Sequence, residues 1–81
     1  MPKSWLVYIV KCQDNSYYTG ITNDLTHRIE QHNSGKGAKY TRSRRPVKLV
    51  FHEKCEDHSA ALKREGAIKK LSRQQKIELI S

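Results

Sequence analysis

Apolar and polar positions divide the chain into segments of different period. Trp5 to Cys12 (WLVYIVKC) is an apolar and β-branched run, which fits a central strand covered on both faces. Gln13-Asp14-Asn15-Ser16 has turn chemistry, and Tyr17 to Thr22 (YYTGIT) is a second β-prone run. Together they predict an antiparallel hairpin. Asn23 is placed to cap the next segment, DLTHRIEQHN, where Leu25 and Ile29 share one helical face. Gly35 ends that helix. From Gly35 to Arg45 (GKGAKYTRSRR) no periodicity survives, so a loop is expected. Pro46 leads into a third strand, VKLVFHE.

His58 or Ser59 opens a second long helix, SAALKREGAIKKL, and Ser72 with Gln75 forms a capping-box pattern for a short last helix. The predicted order is β-β-α-β-α-α. A small three-stranded antiparallel sheet flanked by helices, of the α+β class, is the natural packing. The 81 residues suit a single domain over residues 1–81 with a limited core. A polar side chain set against that core therefore needs a reason.

Two charged residues fall on the inward stripes. Arg28 stands three residues after Leu25, and His32 seven after it, on or beside the face turned to the sheet. An arginine there either snorkels its head to water or serves a ligand. Glu65 stands in a stripe marked by Ala61, Leu62, Ile68 and Leu71. It either pairs internally with Arg28 or faces a cleft as a hard oxygen ligand suited to magnesium.

The hairpin offers a second pair. With a three-residue turn, Tyr8 lies opposite Gly20 and Tyr18 opposite Val10, so both tyrosines project from one sheet face as diagonal neighbours. Gly20 leaves space over Tyr8. An ordinary aromatic core pair is the competing reading, and a one-residue slip would favour it.

Charge sharpens this picture. The chain has 16 basic against 8 acidic residues, a formal net charge of +8, which points to an anionic partner such as nucleic acid or an acidic membrane surface. Lys36, Lys39, Arg42, Arg44 and Arg45 place five positive charges in ten residues, and Tyr40 among them is suited to stack on a base. A solvated loop is the plain alternative. Lys63, Arg64, Lys69, Lys70, Arg73 and Lys76 alternate with the buried stripe, as an exposed helix face would. Cys12 and Cys55 lack metal-site spacing, so zinc is not expected and reduced thiols in a cytoplasm are. The apolar run near the amino terminus, Trp5 to Val10, is too short for a signal core or a membrane span.

The segment LVYIVKC…SYYTGITNDLTHRIEQHN resembles the start of the GIY-YIG nuclease superfamily. Leu6-Val7-Tyr8 stands at the first triplet and Tyr18-Thr19-Gly20 at the second. Arg28 follows in the pattern Y-x-G-x-x-x-x-L-x-x-R, and AALKREGAIKK resembles the glutamate helix, with Glu65 at its metal-ligand position. The layout is closest to small single-domain bacterial members. It also resembles, over RIEQHN and AALKRE, the nuclease subunit that cuts branched DNA in eukaryotes. Three positions depart from the pattern: Leu6 replaces a glycine, Thr19 an isoleucine, and Ile21 the lysine of the repair-nuclease branch.

The resemblance implies magnesium-dependent hydrolysis of DNA phosphodiester bonds. Tyr18 would be the general base, with Tyr8 beside it to orient water or phosphate. Arg28 would bind the phosphate, Glu65 would hold one Mg²⁺, and His32 would contact phosphate or move a proton. A free tyrosine has a pKa of about 10, so a nearby cation must favour its phenolate. Weak sequence selectivity is expected, with DNA ahead of RNA, no membrane, and a protein partner to supply specificity. A non-catalytic nucleic-acid-binding module of the same fold is the alternative.

Overall fold

The computed structural model describes residues 4–81. The elements are β1 (Trp5–Lys11), β2 (Tyr17–Thr22), α1 (Leu25–Ser34), α2 (Lys39–Arg42), β3 (Lys48–Cys55), α3 (His58–Lys69) and α4 (Arg73–Ile80). The three strands form one antiparallel sheet in the order β2-β1-β3. β1 is central because its side chains are apolar on both faces. Val7, Tyr8, Ile9 and Val10 are all fully buried.

Alternation along β1 separates two cores. Tyr8 and Val10 pack with Cys12 and Val47, against Leu25 and Ile29 of α1. Val7 and Ile9 pack with Ile68 of α3, and with Leu79 and Ile80 of α4. Helices thus cover both faces.

The hairpin sets the register. Cys12 N–H donates to Ser16 at 2.8 Å, and Asn15 N–H to the Cys12 carbonyl at 2.9 Å. Asn15 adopts φ 68°, the left-handed conformation asparagine tolerates, so Gln13–Asn15 form a three-residue turn. Tyr8 therefore pairs with Gly20 and Val10 with Tyr18.

One helix cap differs from expectation by one residue. Asp24, not Asn23, caps α1 by accepting from His27 N–H at 3.2 Å. Asp57 caps α3 through Ala60 N–H at 2.8 Å, so that helix opens at His58, one of its two expected first residues. Gly35 ends α1 at φ 84°, and Ser72 with Gln75 forms the capping box of α4.

The expectation of a loop from Gly35 to Arg45 needs correction, because Lys39–Arg42 form a one-turn helix, α2. A single turn is too short to show a period, and its N-cap, Ala38, makes no side-chain cap bond. Tertiary contacts hold it instead: Thr41 is fully buried and bonded to His32. Leu62 also departs from the inward stripe assigned to it, since it is 45% exposed.

Candidate active site

The α1 face of the sheet carries a hydrogen-bonded chain inside its apolar packing. Tyr8 Oη lies 2.7 Å from His32 Nε2, and both residues are fully buried. Arg28 Nε donates to the same Tyr8 oxygen at 3.4 Å, while its Nη1 donates to Gln31 Oε1 at 3.2 Å. His32 Nδ1 lies 2.7 Å from Thr41 Oγ1, and Thr41 Oγ1 donates to the Ala38 carbonyl at 3.0 Å. The helical spacing of Arg28 and His32 turns both toward the sheet, as four-residue separation requires.

Two glycines make room for this chain. A Cβ on Gly20 would stand 2.6 Å from Tyr8 Oη, so the ring lies directly across the β2 backbone. A Cβ on Gly37 would stand 2.4 Å from His32 Nδ1 and 2.8 Å from its Cα. The segment after α1 can press onto the histidine only because residue 37 lacks a side chain.

Burial sets the protonation. It pushes His32 down to about 4, helped by the Arg28 charge, so the imidazole is neutral near pH 7. Burial raises the Tyr8 pKa despite the hydrogen bond and charge of Arg28. Tyr18 and Glu65 push in the same direction as burial, so the Glu65 carboxylate lies within electrostatic reach of the Tyr8 hydroxyl.

Tyr18 is half-buried on this face, with its ring edge-on to His32 at 5.4 Å between centroids. It also stacks on Tyr40 at 5.9 Å, and the Arg44 guanidinium sits 4.0 Å from the Tyr40 ring centre. Tyr40 thus joins the basic segment to the tyrosine pair. Arg44 is tied further to Asp14 at 3.0 Å and to the Tyr40 carbonyl at 2.8 Å. Arg45 donates to the carbonyls of Arg42 at 2.9 Å and Asn33 at 3.4 Å. Lys36, Lys39 and Arg42 are exposed. An open hollow of ≈ 460 Å³ lined by Asn33, Arg42, Ser43, Arg45 and Pro46 lies in this segment. Its lining holds neither tyrosine nor carboxylate, so it belongs to the basic surface rather than to the chemistry.

Glu65 projects from α3 with its side chain 19% exposed and pairs with Lys69 at 3.5 Å, one turn along the same helix. Arg28 is directed to Tyr8 and Gln31 instead, so the internal pairing of Glu65 with Arg28 is not the arrangement adopted. The arrangement combines phenols, a neutral imidazole, a guanidinium and a carboxylate, groups suited to proton movement and to binding a phosphate. The sequence carried no signal for Thr41 or Gly37, whose contacts depend on how the segment folds back over α1; Gln31 stands three residues after Arg28 on the same helix, a spacing that brings the two side chains together.

Comparison with known proteins follows the same outline. The family model of the GIY-YIG catalytic domain matches residues 4–78. A UPF0213 protein of Desulfotalea psychrophila is 58% identical over 78 residues, covering 95% of this chain and 71% of that protein. One from Staphylococcus haemolyticus is 58% identical over 74 residues, covering 91% and 90%. Two solution structures match the fold. One, the UPF0213 protein from Bacillus halodurans, has a TM-score of 0.61 at 45% identity, covering 95% of this chain and 82% of that one. The other, from E. faecalis, has a TM-score of 0.66 at 49% identity, covering 96% and 83%. Among the described residues no helix is long and apolar enough to cross a membrane. With the tyrosine triplets, the helix arginine and the glutamate helix all inside the matched span, the chain belongs to the GIY-YIG catalytic-domain family.

Proposed function

We propose that this protein is a magnesium-dependent endonuclease that hydrolyses DNA phosphodiester bonds with weak sequence selectivity, acting on branched or damaged DNA in the cytoplasm. The observation that carries the reading is the buried Tyr8–His32 pair with Arg28 at its edge, beside Tyr18 and within reach of the Glu65 charge. A domain with a small core gains little from burying such a pair unless it serves chemistry.

Tyr8 has its hydroxyl committed to His32 and Arg28, so it fixes the guanidinium and the imidazole. Tyr18, half-buried beside them, is the phenol that, ionised to its phenolate, would take a proton from the attacking water. The N–H donors that Arg28 does not spend on Tyr8 and Gln31 bind the phosphate. His32 is buried with both ring nitrogens bonded, which favours proton movement over direct phosphate contact.

Glu65 is the residue that would hold magnesium. Among the described residues no group of three or more His, Cys, Asp or Glu could hold a metal. One partly exposed carboxylate still fits an ion that keeps several waters and takes its other ligands from substrate phosphate. When bound, the ion supplies Lewis-acid stabilisation on the leaving-oxygen side.

The exposed Lys36, Lys39 and Arg42 carry the backbone contacts, with Tyr40, Arg44 and Arg45 shaping the surface between them. A partner protein supplies specificity. The second reading, a binding module without catalysis, rests on the same +8 charge.

The test is incubation of the protein with flap, fork and duplex DNA in magnesium, and again in excess chelator. Cutting that the chelator abolishes supports the reading; binding without cutting on every substrate favours the module. In the same assay, neutralising Lys36, Lys39 and Arg42 should weaken binding and reduce the salt slope by about one to three. An unchanged slope would show these side chains to be solvated surface only.

A further inference from the structure

Thr41 is fully buried, while Lys39, Tyr40 and Arg42 around it are exposed. Its hydroxyl lies 2.7 Å from His32 Nδ1 and 3.0 Å from the Ala38 carbonyl oxygen. The direction of these bonds follows from counting protons. A hydroxyl has one proton, and a neutral imidazole has one as well. If Thr41 gives its proton to the Ala38 carbonyl, its oxygen accepts from His32, and Nδ1 carries the ring hydrogen. Nε2 then has a lone pair facing Tyr8 Oη at 2.7 Å, so the phenol donates to it. The Tyr8 oxygen in turn accepts from Arg28 Nε. Every buried proton in this arrangement has an acceptor.

The reverse polarity does not close. Were Nε2 to carry the hydrogen, the Tyr8 oxygen would face two donors, His32 and Arg28. The phenol's own proton would then have no acceptor among these contacts, at a residue with no exposed surface. A buried donor left unpaired is unfavourable.

We propose that Thr41 is a positioning residue whose hydroxyl holds His32 in the Nδ1-protonated tautomer, and so presents Nε2 to Tyr8 as a proton acceptor. Thr41 sits in α2, within the basic segment, and Gly37 lets that segment close onto the ring. The segment suited to meet a phosphate backbone therefore also sets the state of the buried base. The catalytic meaning of this device rests on the nuclease reading, whereas the tautomer itself does not.

The experiment is nitrogen-15 NMR of the histidine side chains in the full chain near neutral pH, for wild type, Thr41→Val and Thr41→Ser. The wild type should show His32 with a protonated Nδ1 and a lone-pair Nε2. Valine should shift it toward the other tautomer or a mixture, and serine should restore it. DNA cleavage should fall about tenfold in the valine variant, the worth of one such bond, and recover with serine. A wild-type Nε2–H tautomer, or an unchanged tautomer in a folded valine variant, overturns the proposal. If the valine variant does not fold, the wild-type and serine spectra decide: Nδ1–H in both upholds it, and Nε2–H in either overturns it. If the tautomer responds as stated but the wild type cuts no DNA, the Thr41 assignment stands and the nuclease reading falls.

Discussion

On the α3 side of the sheet, Val7 and Ile9 meet the hydrocarbon side chains of Ile68, Leu79 and Ile80, beside Tyr17, Phe51 and Cys55. On the α1 side, Tyr8 and Val10 meet Leu25 and Ile29, but also His32, which bonds to Thr41. Both faces grow from alternate residues of one strand, β1. The first uses its burial to stabilise the fold. The second gives up part of that burial to hold a phenol, an imidazole and a hydroxyl in one fixed chain, with a guanidinium at its edge. Division of labour between the faces explains how so short a chain can keep a polar site without a large core.

The largest expected break in this contrast is on the apolar face. Ile68→Ala removes a fully buried side chain from the centre of that cluster and should cost about 2–5 kcal/mol. Urea unfolding measures this; a loss below about 1 kcal/mol would mean the face is loosely packed.

Next comes acid sensitivity of the polar face. His32 titrates at about 4 in the folded chain and near 6.5 when unfolded. Between these values the unfolded chain takes up a proton that the native chain refuses. The stability from keeping His32 neutral is thus fully present above about pH 6.5 and is lost as pH falls toward 4, by up to about 3 kcal/mol. Unfolding curves at pH 7.5 and 4.5 for wild type and His32→Gln isolate the effect, since only wild type should show this component. Equal pH dependence in the two proteins would show that the ring is not held neutral by burial.

A smaller effect concerns a polar atom on the apolar side. Thr19 pairs with Ile9, is 4% exposed, and its Oγ1 has no hydrogen-bond partner among the described residues. Thr19→Val keeps the shape and removes the stranded hydroxyl, so stability should rise by about 1 kcal/mol. A loss on thermal melting would show that the hydroxyl has a partner after all.

What could be read from the sequence follows the same division. The apolar run WLVYIVKC and the β-prone YYTGIT, with turn residues between, predicted the hairpin, and the three-residue turn on which the shared face of Tyr8 and Tyr18 depended is the one adopted. Four-residue spacing put Arg28 and His32 on one face of α1, where both reach Tyr8, while Glu65, beside the stripe around Ile68, stays partly exposed. Where long-range contact rather than period decides structure, the sequence was silent. α2 is one turn held by Thr41 against His32, nine residues away. Leu62 lies near the inward stripe by spacing, yet it is exposed. Glu65 found its cation in Lys69 along its own helix, a choice that periodicity leaves open.

That last pairing makes the central claim testable with one variant. Lys69 is 53% exposed at its side chain, so the ion pair it makes with Glu65 contributes no more than about 0.5 kcal/mol. Glu65→Ala should therefore leave the melting temperature nearly unchanged. If Glu65 anchors the metal of a nuclease, the same substitution should abolish magnesium-dependent cutting while DNA affinity holds or rises, because a negative charge near the phosphate is gone. Melting, DNA binding and cleavage measured together on wild type and Glu65→Ala decide the matter. Loss of cutting with stability and binding intact is the result predicted here. Undiminished cutting by a folded variant, or a large fall in melting temperature from a wild type that never cuts, would contradict it.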